Sequence, residues 1–259
     1  MKNYALLIQQ EFYKIRKTLA FRSSWILPLL INLLIVSIFL IKAEDILKSP
    51  TPNMWHRYLE FSMGIMGSLI LPMYVVFLTF SINDIEHKAD TWKNLFSYPV
   101  EKRQVFLSKW LSAVSVFGIF MLSFFCFTYI GGTVLGKLNP LFGFQNHDMG
   151  FLILQAYAKM FLASLALLSL QFFFSMLWSD FMKSMGIGLL LTIASLIAVR
   201  WEYIYLSPYA QPMYSIMGLF KNENGGLLDF ATKEIGVGVA TAATFMILSY
   251  QMMKKLSIR

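Results

Sequence analysis

Six charge-poor apolar runs govern what this chain can fold into. They lie at about 24–41, 61–82, 111–135, 151–178, 185–206 and 235–253. A helix needs about 20 residues to cross a hydrocarbon core about 30 Å thick, and each run is of that order. A transmembrane barrel would instead show alternating strands of about ten residues, and no such period is present. The composition agrees: 57% of residues are hydrophobic and 14% charged, where a soluble domain carries roughly 25% charged residues. The fold class is therefore an all-α integral membrane protein with six transmembrane helices.

The net charge of +8 would suggest nucleic acid on a soluble chain. Here the basic residues sit in the segments beside the spans. Fourteen Lys and Arg fall in the N-terminal segment, the 83–110 loop, the 179–184 turn and the C-terminus. Seven fall on the other side, six in the other three loops and Arg200 at the end of the fifth run, and Lys159 is left over. The positive-inside rule then places both termini and the 83–110 loop in the cytoplasm. No nucleic-acid partner is expected; the charge serves topology.

Catalytic signatures are missing from the sequence. No G-x-x-x-x-G-K-[ST] phosphate loop occurs, and the Gly136-Lys137 pair is followed by Leu138, so the chain is not expected to hydrolyse ATP alone. His56, His87 and His147 show no metal-binding spacing, and His87 lies across the membrane from the other two, so no metal site is expected. The one cysteine, Cys126, excludes an intramolecular disulfide and reads as a small buried apolar residue. No G-x-S-x-G appears. The chain is not read as an enzyme.

Residues 1–23 form an amphipathic interfacial segment, and 24–259 the six-span domain. Tyr4, Ile8, Phe12, Ile15 and Leu19 share one helical face, with Glu11 near its edge and Lys14, Arg16 and Lys17 largely elsewhere. That pattern suits a helix lying among lipid headgroups. No cleavage site follows it, so it is not a secretory signal. Pro28 falls near the start of span 1, and Pro72 predicts a kink in span 2. The segment 207–234 is partly apolar, interrupted by Pro208 and Pro212 and turned at 224–226. It reads as a half-buried or re-entrant helix on the outer side. In span 6 the small-residue pairs 236/240 and 238/242 permit close helix packing.

Three polar features inside the spans are candidates for a substrate path. Asn32 can bond across helices or line a path, and packing is preferred. Lys159 is either a contact for an anionic or carbonyl-bearing ligand or an anchor reaching the outer headgroups. Residues 160–179 alone are long enough to span, which favours the anchor. Arg200 and Glu202 sit among Trp201, Tyr203 and Tyr205, and read as an interfacial belt.

The polar stretch 82–110 joins spans 2 and 3. Asp90 can cap a short helix. Trp92, Leu95 and Phe96 then share a face, and Pro99 disfavours helix at Tyr98. An apolar face of this kind needs a partner, lipid or protein.

Glu86, the run Asp90-Thr91-Trp92-Lys93-Asn94-Leu95, Tyr98-Pro99-Val100, Arg103 and Lys109 together resemble the membrane subunits of ABC-2 type ABC transporters. The likeness is greatest to permeases that export bacteriocins, lantibiotics and related antimicrobial peptides. The N-terminal amphipathic helix, the six spans and the long segment between spans 5 and 6 match over essentially the whole chain. The resemblance implies that 90–97 is a short cytoplasmic coupling helix seated on a separate ATPase. Trp92, Leu95 and Phe96 would dock, Glu86 and Lys93 would flank, and Asp90 and Pro99 would bound the helix. It implies two permease subunits, identical or paralogous, and two ABC ATPase subunits in a bacterial cell membrane. ATP and Mg would sit on the ATPase, and no cofactor on this chain. The expected activity is ATP-driven export of a hydrophobic or amphipathic peptide. Export of a lipid, ion or drug, a membrane-embedded enzyme, and a non-transporting sensor or scaffold are the alternatives.

Overall fold

The computed structural model describes residues 2–48, 53–88, 101–221 and 230–256. Among these residues every regular element is helical, and six helices are long and apolar enough to cross a membrane. The expected six-span, all-α architecture is present.

The N-terminal amphipathic helix is Lys2–Ile15. It stops short of the 1–23 expected from periodicity, because residues 16–18 form a turn. Thr18 then caps span 1 (Leu19–Ile41), its hydroxyl accepting from the Phe21 amide at 3.3 Å. The break rotates the chain, so Leu19 leaves the Ile15 face and is 70% exposed while Ile15 is fully buried.

Span 2 starts earlier than its apolar run. Asn53 caps Met54–Ile65 by accepting from the Trp55 amide at 2.9 Å. A π-turn, Met66–Ile70, follows, and Leu71–Lys88 completes the span. The expected kink at Pro72 takes this form. Proline has no N–H to continue the i→i+4 ladder, and the Leu71 amide bonds back to the Met66 carbonyl five residues earlier.

Span 3 (Lys102–Leu138) has 37 residues, about 55 Å at 1.5 Å per residue. It exceeds the 111–135 run and the bilayer core, so it projects at one or both ends. Span 4 (Gly150–Leu177) packs most extensively on span 6 (Lys233–Leu256) and also contacts spans 2, 3 and 5. It is the most enclosed of the six. Span 5 is shorter than read: the helix Phe181–Ile197 ends, and two 3-10 turns, Ala198–Arg200 and Ile204–Leu206, follow with Trp201 and Tyr203 between them. Arg200, Trp201, Glu202 and Tyr203 are exposed there.

At the bundle end away from the N-terminal helix, spans 2 and 3 meet through aromatic rings. The Trp55 indole donates to the Phe144 carbonyl at 2.9 Å and stands edge-on to the Phe144 ring. Phe144 is presented by a turn at Gly143, whose φ of 68° favours glycine. Gly131 and Gly132 of span 3 make the approach possible: a Cβ on Gly131 would strike the Tyr58 hydroxyl, and one on Gly132 the Trp55 ring. Cys126, expected to be buried, is exposed on the outside of the same helix.

Candidate functional site

Among the described residues, three clusters gather most of the polar chemistry inside the bundle. The first is a crossing of spans 1 to 4. Asn32 anchors its own amide on the Pro28 carbonyl at 2.9 Å, and its side-chain oxygen accepts from the Thr128 hydroxyl at 3.0 Å. A hydroxyl has one proton to give, so Tyr157 at 2.8 Å and Ser62 at 3.3 Å both donate to Thr128. One threonine thus joins four helices, and all four side chains are buried. Asn32 is in this knot, bonded across helices.

The second place is beside the helix Gln211–Lys221, which supplies the half-buried helix read from 207–234. Gln171 of span 4 donates to the Tyr209 hydroxyl. Gln211 donates to the Tyr205 carbonyl at 3.0 Å, and its side-chain oxygen faces Gly238 of span 6. Among the described residues, the side-chain oxygens of Gln171 and Gln211 are buried without a hydrogen-bond partner. Burial pushes the Tyr209 phenol well above its usual range, with the Gln171 contact pulling the other way. The hydroxyl therefore stays protonated. The π-turn of span 2 lies against this helix, since a Cβ on Gly67 would meet Met160 and approach Met213. π-turns recur at functional positions in helices. Of the two small-residue pairs in span 6, only 238/242 is packed. Gly238 approaches Gln211 and the Ala163 carbonyl, whereas Gly236 has nothing within 4 Å.

The third place joins the N-terminal helix to span 3. Glu11 is 5% exposed and Lys109 1% exposed. The Lys109 ammonium lies 3.0 Å from one Glu11 carboxylate oxygen, and Lys14 lies 3.0 Å from the other. Sequence reading placed Glu11 only near the edge of the apolar face and did not pair it. A charge among apolar positions was the available signal, but its partner is 98 residues away.

Lys159 departs from expectation. It is 6% exposed, and lies nine residues inside the span 4 helix. An anchor would hold its ammonium in the headgroup water; here the residue is enclosed because span 4 is the central helix. Asp90, Trp92, Lys93, Leu95, Phe96 and Pro99 lie outside the described residues, as does the side chain of Glu86, whose backbone lies in the last turn of the helix of span 2. Just inside that end, Asn83 donates to Ser175 at 2.7 Å and ties span 2 to span 4.

An apolar cavity of about 330 Å³ opens on the outside of the bundle between spans 3 and 4, lined by Gly118, Leu122, Phe125, Leu154, Tyr157 and Phe161 among others. Tyr157 forms part of its wall while its hydroxyl belongs to the Thr128 knot. Among the described residues no group of three or more His, Cys, Asp or Glu could hold a metal ion.

Comparison with known proteins adds one finding. No curated protein and no solved structure gives a significant match. A family model described as "ABC-2 family transporter protein" matches residues 7–195, from the N-terminal helix through most of span 5. That match covers well over half of the chain, and with six apolar spanning helices beneath it, the chain belongs to the ABC-2 transporter family.

Proposed function

We propose that this chain is the permease subunit of an ATP-driven exporter, energised by a separate cytoplasmic ABC ATPase dimer. Two permease subunits, identical or paralogous, complete the working unit in a bacterial cell membrane. The observation that carries the reading is the family match across residues 7–195, laid over six spans. Both termini and the loop between spans 2 and 3 face the cytoplasm, on the fourteen-to-seven division of Lys and Arg. Residues 90–97 form the coupling helix, with Trp92, Leu95 and Phe96 against the ATPase.

The cargo is a hydrophobic or amphipathic peptide. The loop residues around Trp92 and Pro99 support this by their likeness to antimicrobial-peptide exporters. The apolar cavity between spans 3 and 4 supports it by chemistry, since it offers an apolar chain a seat on the outer face of the bundle. ATP binding and hydrolysis on the partner would bias two rigid-body arrangements of the spans.

The test is affinity purification of the tagged chain from its native membrane. An ATPase carrying a phosphate loop should co-purify in a fixed ratio and hydrolyse ATP. Deletion of the chain should sensitise cells to an amphipathic antimicrobial peptide. Absence of any such ATPase rejects the permease reading. An ATPase without altered peptide sensitivity rejects the peptide cargo alone.

A further inference from the structure

The buried ion pair between the N-terminal helix and span 3 has a place in the mechanism. We propose that Glu11 and Lys109 are positioning residues that carry displacement of the cytoplasmic start of span 3 into span 1. This rests on the reading of the chain as an ATPase-driven permease.

The geometry has three parts. Span 3 begins at Lys102, directly after the loop in which the ATPase is read to dock, and Lys109 is two turns along it. Glu11 engages Lys109 through one carboxylate oxygen and Lys14 through the other, both at 3.0 Å. Glu11 is thus held between two lysines, and its contact with Lys109 is shielded from water, where screening is weakest. The second part is the joint between the N-terminal helix and span 1. The Thr18 hydroxyl donates to the Ile15 carbonyl at 2.6 Å and accepts from the Phe21 amide at 3.3 Å. Phe12 and Phe21 meet edge to face across the turn, 5.6 Å between centroids. Rotation of the short helix is therefore not absorbed at the turn. The third part is the first turn of span 1, whose Ala20 carbonyl accepts from the Tyr74 hydroxyl of span 2 at 3.2 Å.

Stability alone does not account for a charged contact here. Apolar residues of similar volume often hold such a site as well or better, and the attested use of a buried pair is to fix register. Glu11 and Lys109 set the rotation and height of the N-terminal helix on span 3. Because its other end is clamped to span 1, a shift of span 3 moves span 1 with it.

Hydrogen–deuterium exchange on the purified permease–ATPase complex, with ATP and vanadate against no nucleotide, reads this directly. In the wild type, exchange should change both at 102–110 and at the far end of span 1, residues 38–48. Glu11→Gln and Lys109→Met should keep ATPase association and hydrolysis, keep the change at 102–110, and lose it at 38–48. Glu11→Cys with Lys109→Cys, in a Cys126→Ser background, should regain it when bridged by a reducible bifunctional thiol reagent, and lose it again on reduction. Bridging in the membrane before extraction serves where a single variant does not fold; reduction of that protein must then remove the 38–48 response. The proposal is overturned if the single variants respond as wild type at 38–48, if the wild type shows no change there, or if bridging fails to restore it. Loss of ATPase association in the variants also overturns it, because the pair would then serve docking. A wild type that brings down no ATPase refutes the parent reading, and the link falls with it.

Discussion

Thr128 Oγ1 donates to Asn32 Oδ1 at 3.0 Å, joining span 3 to span 1. The same hydroxyl oxygen receives Tyr157 and Ser62. In hydrocarbon no water replaces a lost partner, so each deletion leaves an orphan.

Thr128→Val leaves three buried groups short of a partner at once. Its cost is expected at about 1–2 kcal/mol, near the top of what interhelical hydrogen bonds contribute in membrane proteins. Asn32→Leu should cost less, because only one partner is orphaned. The double variant should cost less than the two added together, since the Asn32–Thr128 contact is counted twice in the singles. Reversible unfolding in mixed micelles, read as a double-mutant cycle, checks all three. Strict additivity would mean that Asn32 and Thr128 do not act as one unit.

Glycine substitutions separate packing from lipid exposure. A Cβ on Gly132 would overlap the Trp55 ring. Gly132→Ala is expected to cost about 1–3 kcal/mol by overpacking. Gly236 has nothing within 4 Å, so Gly236→Ala should stabilise by about 0.5–1 kcal/mol through the unfolded-state entropy of glycine. Melting of the two variants in one detergent distinguishes them. The sign of the difference matters more than its size.

Much of the fold was legible because lipid imposes long apolar helices, and those runs stand out by eye. Pro72 announced a disturbance in span 2, though its form as a π-turn depends on how Gly67 seats against Met160 and Met213. Span ends were less legible. Asn53 starts the helix of span 2 and Thr18 that of span 1, yet apolar content alone began both later. The Thr128 knot and the Glu11–Lys109 pair were not legible as contacts, because their members are 29 to 98 residues apart. The burial of Lys159 was not legible either, because its exposure depends on which helices surround span 4.

Orientation rests on charge and has a direct check. With Cys126 replaced by Ser, single cysteines at Asn3, Asn94 and Ser257 should resist an impermeant thiol label in intact cells. Cysteines at Asn53, Asn146 and Asn224 should react. Fourteen Lys and Arg on one side against seven on the other make translocation of the first set unfavourable. Strong labelling at Asn94 would reverse the assignment and remove residues 90–97 from reach of a cytoplasmic ATPase.

Coupling gives the last prediction. Trp92, Leu95 and Phe96 share one face at helical spacing after Asp90. Burying a large apolar side chain against a partner contributes roughly 1.5–3 kcal/mol, and truncation at a hot spot costs about 2 kcal/mol or more. Trp92→Ala combined with Phe96→Ala should therefore weaken ATPase association at least about tenfold, since about 1.4 kcal/mol is one decade. The Glu11–Lys109 link lies on other residues, so its contribution to folding is untouched, and the permease should still extract as a folded protein with unchanged melting. Asn94→Ala, off the apolar face, serves as the control and should retain association. ATPase co-purification and ATP-driven peptide transport are measured in the same detergent and lipid. If the double variant binds the ATPase and transports as the wild type does, residues 90–97 are not the coupling helix, and the drive must reach span 3 by another contact.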